Sequence, residues 1–341
     1  MNRRRFLGMA GTAAVGAILG GAARRIARAS EGVPGFTPAG GTSQGPVVLE
    51  LIHRPETAPF ATDPNSVAGL LDLVLAQALG RGDDLPLDLW SELFPEQEAC
   101  GVKVAAATAG ALTASLAAAV ALRMMDADVP QALVTVWDRD ETALRALGMK
   151  FPVDRSPRLL GAAAEGWGRP LRPPTPAGHK NPTGSGPRSA PRLSKMVERI
   201  TREATVTPLA ATDDGRMGPF VLESLALGAT DWKGRIPDGA TVARWAADPA
   251  LAGRGRLHLG DLWKVSLGKD SKGSPKIWDA RTILLSTDPV ALTAVAHATL
   301  SGARKGFGLG PTPASESLAE AARLGLGTAE IDRLTWRKLS F

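Results

Sequence analysis

The chain has no tyrosine and only one cysteine, Cys100. A single cysteine cannot form an intramolecular disulfide. It also cannot supply the ligands of a cysteine-bound iron–sulfur cluster, a c-type haem or a zinc site built on paired cysteines. Without tyrosine, mechanisms that use a phenol as acid, base or radical are excluded. The histidines offer no helical metal clamp, because no two of them stand four residues apart. The cofactor stays unknown, with cysteine-ligated iron–sulfur and c-type haem excluded.

Positive charge is concentrated at the N-terminus and is not in excess elsewhere. The formal net charge is +6, but residues 1–29 contain six arginines and no acidic residue. Beyond them, 34 of the 40 basic residues remain, which equals the number of acidic residues. A neutral domain gains little from displacing the counterions of a nucleic acid. We therefore expect no nucleic-acid partner.

The first 29 residues have the features of a twin-arginine signal peptide. Arg3 and Arg4 are followed after one residue by Phe6 and Leu7, and an apolar, glycine-diluted stretch leads to a small-x-small cleavage pattern that ends at Ala29. We expect transient binding to the twin-arginine translocase and a periplasmic or other extracytoplasmic location. The alternative is an uncleaved anchor helix. Because the stretch is short for about 30 Å of hydrocarbon, we expect no stable membrane insertion after cleavage.

The remaining chain predicts a flexible lead-in over residues 30–46 and a single α/β domain over residues 47–341. Strand-like and helix-like segments alternate, which favours a mostly parallel sheet with helices on both faces. Residues 166–192 contain seven prolines and no acidic residue. They predict an irregular Pro/Gly-rich insertion, either a solvated surface loop or a lid that attracts anions.

Two helices have clear sequence signals. Asp63 and Pro64 predict the start of a helix that ends at Gly80. Residues 111–125 form a segment that is apolar nearly all round, which is typical of a deeply buried helix.

Three aspartates follow predicted strands, and one lysine lies within another. Asp138 follows residues 134–137, Asp261 follows 257–260, Asp288 follows 283–287, and Lys103 lies within 101–105. The carboxyl ends of parallel strands meet at one edge of a sheet, where ligands bind. We therefore expect Lys103, Asp138, Asp261 and Asp288 to line a pocket for a small polar ligand or a metal, with Lys103 pairing with a carboxylate or holding an anion.

Each of these residues also has a structural interpretation. Asp288 precedes Pro289, the pattern of a helix N-cap followed by a first-turn proline. In the same structural interpretation, Asp138 caps a helix that begins near Asp140, and Asp261 is a solvated loop residue. Lys103 would extend along the strand to reach the surface.

Four segments resemble the family called domain of unknown function 362, in its twin-arginine-exported form. These segments are Cys100-Gly101-Val102-Lys103-Val104, Val134-Thr135-Val136-Trp137-Asp138-Arg139, Ser286-Thr287-Asp288-Pro289-Val290-Ala291-Leu292 and Ala322-Arg323-Leu324-Gly325-Leu326-Gly327-Thr328. The resemblance covers about residues 95–340. Some members of the family carry cysteine-rich iron–sulfur modules, which this chain cannot form. No biochemical role is carried over from the family.

The chain departs from the family pattern at its centre. Ala105 stands where members usually have asparagine, and residues 208–232 lack the usual lysine, histidine and Lys-Asn pair. The leading hypothesis is an exported protein that binds a small polar ligand or metal at strand ends. The alternatives are a degenerate, non-catalytic interaction protein of the envelope, or an envelope redox enzyme, which only the export route suggests. Whether the chain is an enzyme, its substrate and its oligomeric state stay open.

Overall fold

The computed structural model describes residues 45–54, 63–82, 84–172, 191–212, 221–233 and 237–341. Its strands are β1 (Val47–Ile52), β2 (Cys100–Val104), β3 (Val134–Asp138), β4 (Arg158–Gly161), β5 (Trp167–Pro170), β6 (Arg192–Ser194), β7 (Arg202–Pro208), β8 (Gly255–Lys269), β9 (Pro275–Ser286) and β10 (Thr335–Ser340). Its α-helices are α1 (Pro64–Leu79), α2 (Pro86–Leu93), α3 (Ala111–Asp126), α4 (Glu141–Ala146), α5 (Lys195–Arg199), α6 (Val221–Gly228), α7 (Gly239–Ala246), α8 (Pro289–Gly306) and α9 (Glu316–Arg323).

The fold is α/β, with an eight-stranded, mostly parallel sheet, as the sequence predicts. The strand order is β10-β1-β9-β8-β7-β2-β3-β4. Among these strands β9 alone runs against the others, because it pairs antiparallel with both β1 and β8 while the remaining pairs are parallel. A separate antiparallel pair is formed by β5 and β6. The direction of β9 decides which candidate site residues meet.

Helices cover both faces of the sheet. On one face, Val102 and Val104 of β2 join the core formed with α1, α2 and α3. Lys103, between them on the strand, points to the opposite face. That face is covered by α6, α7 and α8, with Leu225 of α6 and Leu292 of α8 in its apolar clusters, and α9 packs on α7 and α8. The buried lysine therefore lies under a helix layer and not in water.

Two helices follow their sequence signals. Asp63 accepts hydrogen bonds from the backbone of Asn65 and Ser66, with Pro64 in the first turn of α1. Gly80 ends α1 in the left-handed conformation, with φ of 67°, which glycine adopts without steric cost. The apolar helix α3 is buried on nearly all sides, as its composition predicts.

The prediction of an irregular insertion over residues 166–192 needs correction. The two ends of the predicted loop form β5 and β6, while residues 173–190 lie outside the described residues. The helix α5 that follows β6 spans only Lys195–Arg199, and Glu203 belongs to β7. The signal peptide, its cleavage site at Ala29 and most of the lead-in also lie outside the described residues. Among the described helices, none has the length and apolar composition of a membrane span.

A tight turn reverses the chain between β8 and β9. The side chain of Asp270 accepts hydrogen bonds from the backbone of Lys272 and Ser274. Gly273 takes the left-handed conformation there, with φ of 78°, where a side chain would be strained. The two strands pair from Lys269 and Pro275 back into the sheet. The end of β9 therefore lies at the amino edge of the parallel strands.

Candidate functional site

Lys103 and Asp138 form a buried ion pair at the carboxyl ends of β2 and β3. The Nζ atom of Lys103 lies 2.6 Å from Oδ1 of Asp138, and both side chains are almost completely buried. Nζ also donates to the carbonyl of Val104 at 2.7 Å and lies 3.4 Å from Oγ of Ser224 in α6. The prediction that Lys103 pairs with one of the strand-end carboxylates is therefore confirmed. The prediction that it extends to the surface is wrong.

Gly228 makes room for this pair beneath α6. A Cβ atom at Gly228 would overlap Cε of Lys103. Burial lowers the pKa of Lys103, and the negative charges of Asp138 and Glu203 oppose that effect. The ring of Trp137, the cross-strand neighbour, has its centroid 5.3 Å from Nζ. The ammonium group is thus held by one carboxylate, one carbonyl and an aromatic face.

The second oxygen of Asp138 is also engaged. Oδ2 accepts a hydrogen bond of 2.9 Å from the backbone N–H of Ala106, at the start of the short 3-10 turn Ala106–Thr108. The N-cap of α4 is Asp140, whose side chain accepts from the backbone of Thr142 and Ala143. The structural interpretation of Asp138 as the N-cap of α4 is therefore wrong. Its carboxylate instead stabilises the turn that follows β2.

Asp261 lies inside β8, level with the end of β7, and is buried. Its Oδ2 accepts from Oγ1 of Thr113 at 2.6 Å, and its Oδ1 accepts from the backbone N–H of Trp263 at 2.9 Å. Burial raises its pKa, and these hydrogen bonds oppose the rise. Thr113 belongs to the first turn of α3, so the negative charge of Asp261 lies near the N-terminus of that helix, where it is stabilising. The solvated-loop interpretation of Asp261 is wrong.

Asp288 lies at the opposite edge of the sheet from the other three residues. It follows β9, whose Ser286 pairs with His258 near the start of β8. Its Oδ1 accepts from the backbone of Val290 and Ala291 as the N-cap of α8, and its Oδ2 accepts from the backbone of Thr328. The expectation that Asp288 shares a pocket with Lys103, Asp138 and Asp261 is wrong, because β9 runs antiparallel.

Asp261 also faces a different layer from Lys103. It belongs to the face covered by α3, whereas Lys103 lies under α6. In the part of the chain that the structure describes, no hydrogen bond or ion pair joins Asp261 to Lys103 or Asp138. The structure therefore brings together Lys103 and Asp138 alone.

A second buried ion pair was missed by sequence reasoning. Nε of Arg254 lies 3.1 Å from Oε2 of Glu203, and the indole N–H of Trp137 donates to Oε1 of Glu203 at 2.8 Å. Arg254 also donates to the carbonyls of Val197 and Ile200 at the end of α5. Burial raises the pKa of Glu203 and lowers that of Arg254. The available sequence signal was the alternation of polar and apolar residues at Glu203-Ala204-Thr205, which is typical of a strand.

One row of side chains crosses the middle of the sheet on the α6 face. Register places Trp137 beside Lys103, Lys103 beside Thr205, and Thr205 beside His258. Nδ1 of His258 shares a hydrogen bond of 2.9 Å with Oγ1 of Thr205. Burial lowers the pKa of His258 to about 3. A neutral histidine and a charged lysine thus lie in the same buried row.

Groups of three or more metal-ligating side chains are absent from the described residues. Comparison of the chain with family models, with curated proteins and with solved structures gives no match.

Proposed function

We propose that the protein is exported by the twin-arginine route and binds a small polar ligand at the carboxyl edge beside Lys103 and Asp138. The observation that carries this proposal is the burial of a lysine–carboxylate pair at the ends of two adjacent parallel strands. In open α/β sheets this edge is where ligands bind.

A purely structural role accounts poorly for the Lys103–Asp138 pair. Removing two charges from water costs several kcal/mol per ion, and apolar replacements of similar size are often as stable or more stable. A lysine whose pKa is lowered by burial next to a specific carboxylate is a pattern that clusters at functional sites. The pair is thus more readily explained by selection for binding than for stability.

The ligand chemistry follows from the groups around the pair. Oγ of Ser224, which accepts a hydrogen bond from Lys103, has its own O–H group to donate. At the same edge, the guanidinium of Arg139 lies over the ring of Trp232, with its carbon 4.4 Å from the ring centroid. Donors and a cation favour a ligand with carbonyl, hydroxyl or anionic oxygens. A metal is disfavoured, since Asp138 already uses Oδ1 for Lys103 and Oδ2 for Ala106.

A second candidate is a non-catalytic interaction protein of the envelope. The observation in its favour is that Asp138, Asp261 and Asp288 each use both carboxylate oxygens for hydrogen bonds within the chain. Such a protein would retain the fold without a ligand pocket.

A thermal-shift screen of the mature protein against polar metabolites separates the two candidates. The double variant Lys103→Met, Asp138→Asn removes both charges and keeps an amide oxygen for Ala106. We expect at least one compound to raise the melting temperature of the wild-type protein and not that of the double variant. A stable protein partner that co-purifies with the chain, together with no response to any compound, would favour the interaction protein.

A further inference from the structure

A pocket lies at the amino edge of β2 and β3, at the opposite end of these strands from the Lys103–Asp138 pair. It has a volume of about 370 Å³, within the range of small-molecule sites. It is lined by Ala99, Ala132, Leu133, Thr135, Arg158, Glu165, Met196, Arg199 and Ile200. We call it the amino-edge pocket. Ligands of parallel sheets usually bind at the other edge, so the sheet architecture does not point to it.

The inner wall of the amino-edge pocket is apolar. Met196 and Ile200 are buried, and Leu133, which directly precedes β3, is half-buried. Ile200 reaches this position because residue 101 is glycine: a Cβ there would lie 2.8 Å from Cδ1 of Ile200. The position of this wall therefore depends on the close approach of Ile200, the C-cap of α5, to β2.

The rim of the amino-edge pocket carries a net positive charge. Glu165 pairs with Arg158, whose terminal nitrogen lies 3.1 Å from Oε1, and it also pairs with Arg199 through Oε2. The two arginine side chains are about half exposed, at 46% and 62%, and Glu165 is 23% exposed. Two guanidinium groups thus share a single carboxylate at the mouth of an apolar cavity.

We propose that the amino-edge pocket binds a small amphipathic carboxylate. Its apolar part would lie against Met196, Ile200 and Leu133, and its carboxylate would bind Arg158 and Arg199. The guanidinium fork matches a carboxylate with two parallel hydrogen bonds. Exposed ion pairs contribute little to stability, so an incoming carboxylate displaces Glu165 at low cost. A cationic ligand would meet two like charges instead.

Sodium hexanoate tests this proposal by titration calorimetry on the mature protein, with acetate, hexylamine and inorganic phosphate as comparison probes. Acetate lacks the chain, hexylamine reverses the charge, and phosphate keeps an anion without an apolar part. We expect hexanoate to bind at least about tenfold more tightly than acetate or phosphate, because burying methylene groups is favourable. Hexylamine should give no measurable binding.

Substitutions at the rim assign the binding to this pocket. Arg158→Gln and Arg199→Gln should each weaken hexanoate binding about fivefold or more, whereas Glu165→Gln should strengthen it by removing the internal competitor. Glu320→Gln is the matched control, because Glu320 also pairs with two arginines, Arg244 and Arg323, but does not line the pocket.

Four results would overturn the proposal. The first is no hexanoate binding to the wild-type protein, and the second is equal binding of hexanoate and phosphate. The third is a hexanoate affinity that neither arginine substitution changes. The fourth is a change in hexanoate affinity that is as large for Glu320→Gln as for Glu165→Gln. None of these results bears on the Lys103–Asp138 pair, which lies at the other edge of the sheet.

Discussion

The imidazole of His258 shares a hydrogen bond of 2.9 Å with Oγ1 of Thr205 across two parallel strands, in the interior of the protein. Only Nδ1 takes part, and Nε2 has no hydrogen-bond partner among the described residues. Gly255 lies so close that a Cβ there would be 2.8 Å from Nε2. The site therefore accommodates the neutral imidazole. In the charged form Nε2 would carry a proton, and no described group accepts a hydrogen bond from it.

We predict that protonation of His258 destabilises the fold in acid. Burial lowers its pKa from 6.5 to about 3, so between these pH values the unfolded chain binds a proton that the folded chain does not. Stability therefore falls as pH falls, by about 1.4 kcal/mol per pH unit from this group. Urea denaturation at pH 6, 5 and 4 measures the slope. His258→Asn, which keeps a partner for Thr205, should show a shallower slope. Identical slopes for the two proteins would contradict the assignment.

The Lys103–Asp138 pair predicts a strongly non-additive double-mutant cycle. Asp138→Asn alone leaves the Lys103 ammonium buried without its counter-charge, and breaking such a pair costs about 3–5 kcal/mol. The double variant Lys103→Met, Asp138→Asn removes both charges and should lie within about 1 kcal/mol of the wild-type protein. Chemical denaturation of the wild-type protein, Lys103→Met, Asp138→Asn and the double variant gives the coupling energy. Additive effects would mean that the two groups do not stabilise each other.

Asp288 and Gly327 predict a second coupled pair at the opposite edge. A Cβ at position 327 would overlap the Asp288 carboxylate. Asp288→Ala removes the N-cap of α8, at a cost of about 1–2 kcal/mol, and also the acceptor for Thr328. Gly327→Ala should destabilise the wild-type protein and cost less in the Asp288→Ala background, since the clash is then gone and only the backbone strain at φ of 158° remains. Equal costs in both backgrounds, measured by thermal denaturation, would argue against this contact.

We predict that export depends on Arg3 and Arg4. Replacing both with lysine should leave the precursor in the cytoplasm, because the translocase reads the arginine pair as an address. Residues 1–29 provide a matched control, since Arg24 and Arg25 form another adjacent pair outside the motif. Their replacement by lysine should leave export unchanged, as judged by fractionation and immunoblotting. Export of both variants to the same extent would refute the twin-arginine assignment.

The sequence predicted the parts of the fold whose signals are local. Asp63, Pro64 and Gly80 mark the ends of α1 because capping depends on neighbouring residues. The composition of α3 likewise predicts its burial. Lys103 and Asp138 were predicted as neighbours because the residues of β2 and β3 are typical of buried strands. The two strands are parallel and adjacent, so their carboxyl ends lie side by side.

The position of Asp288 could not be predicted from its own strand. The residues of β9 do not encode its direction, which depends on how the preceding strand connects to it. The short turn around Asp270 and Gly273 requires an antiparallel return. That turn was the available signal, but the sequence predicted only the segment 257–260 of β8. The amino-edge pocket was missed because the strand-end rule directs attention to the carboxyl edge, whereas Arg158, Glu165 and Arg199 meet at the amino edge.

Titration calorimetry of the compound that most raises the melting temperature tests the central claim most directly. It compares the wild-type protein, the Lys103→Met, Asp138→Asn double variant, and Asp288→Asn as a carboxylate control at the other edge of the sheet. We predict an affinity at least about tenfold weaker for the double variant, the effect expected from losing a charge-assisted hydrogen bond. Asp288→Asn should bind like the wild-type protein. Equal affinity in all three proteins would contradict a ligand site at Lys103 and Asp138.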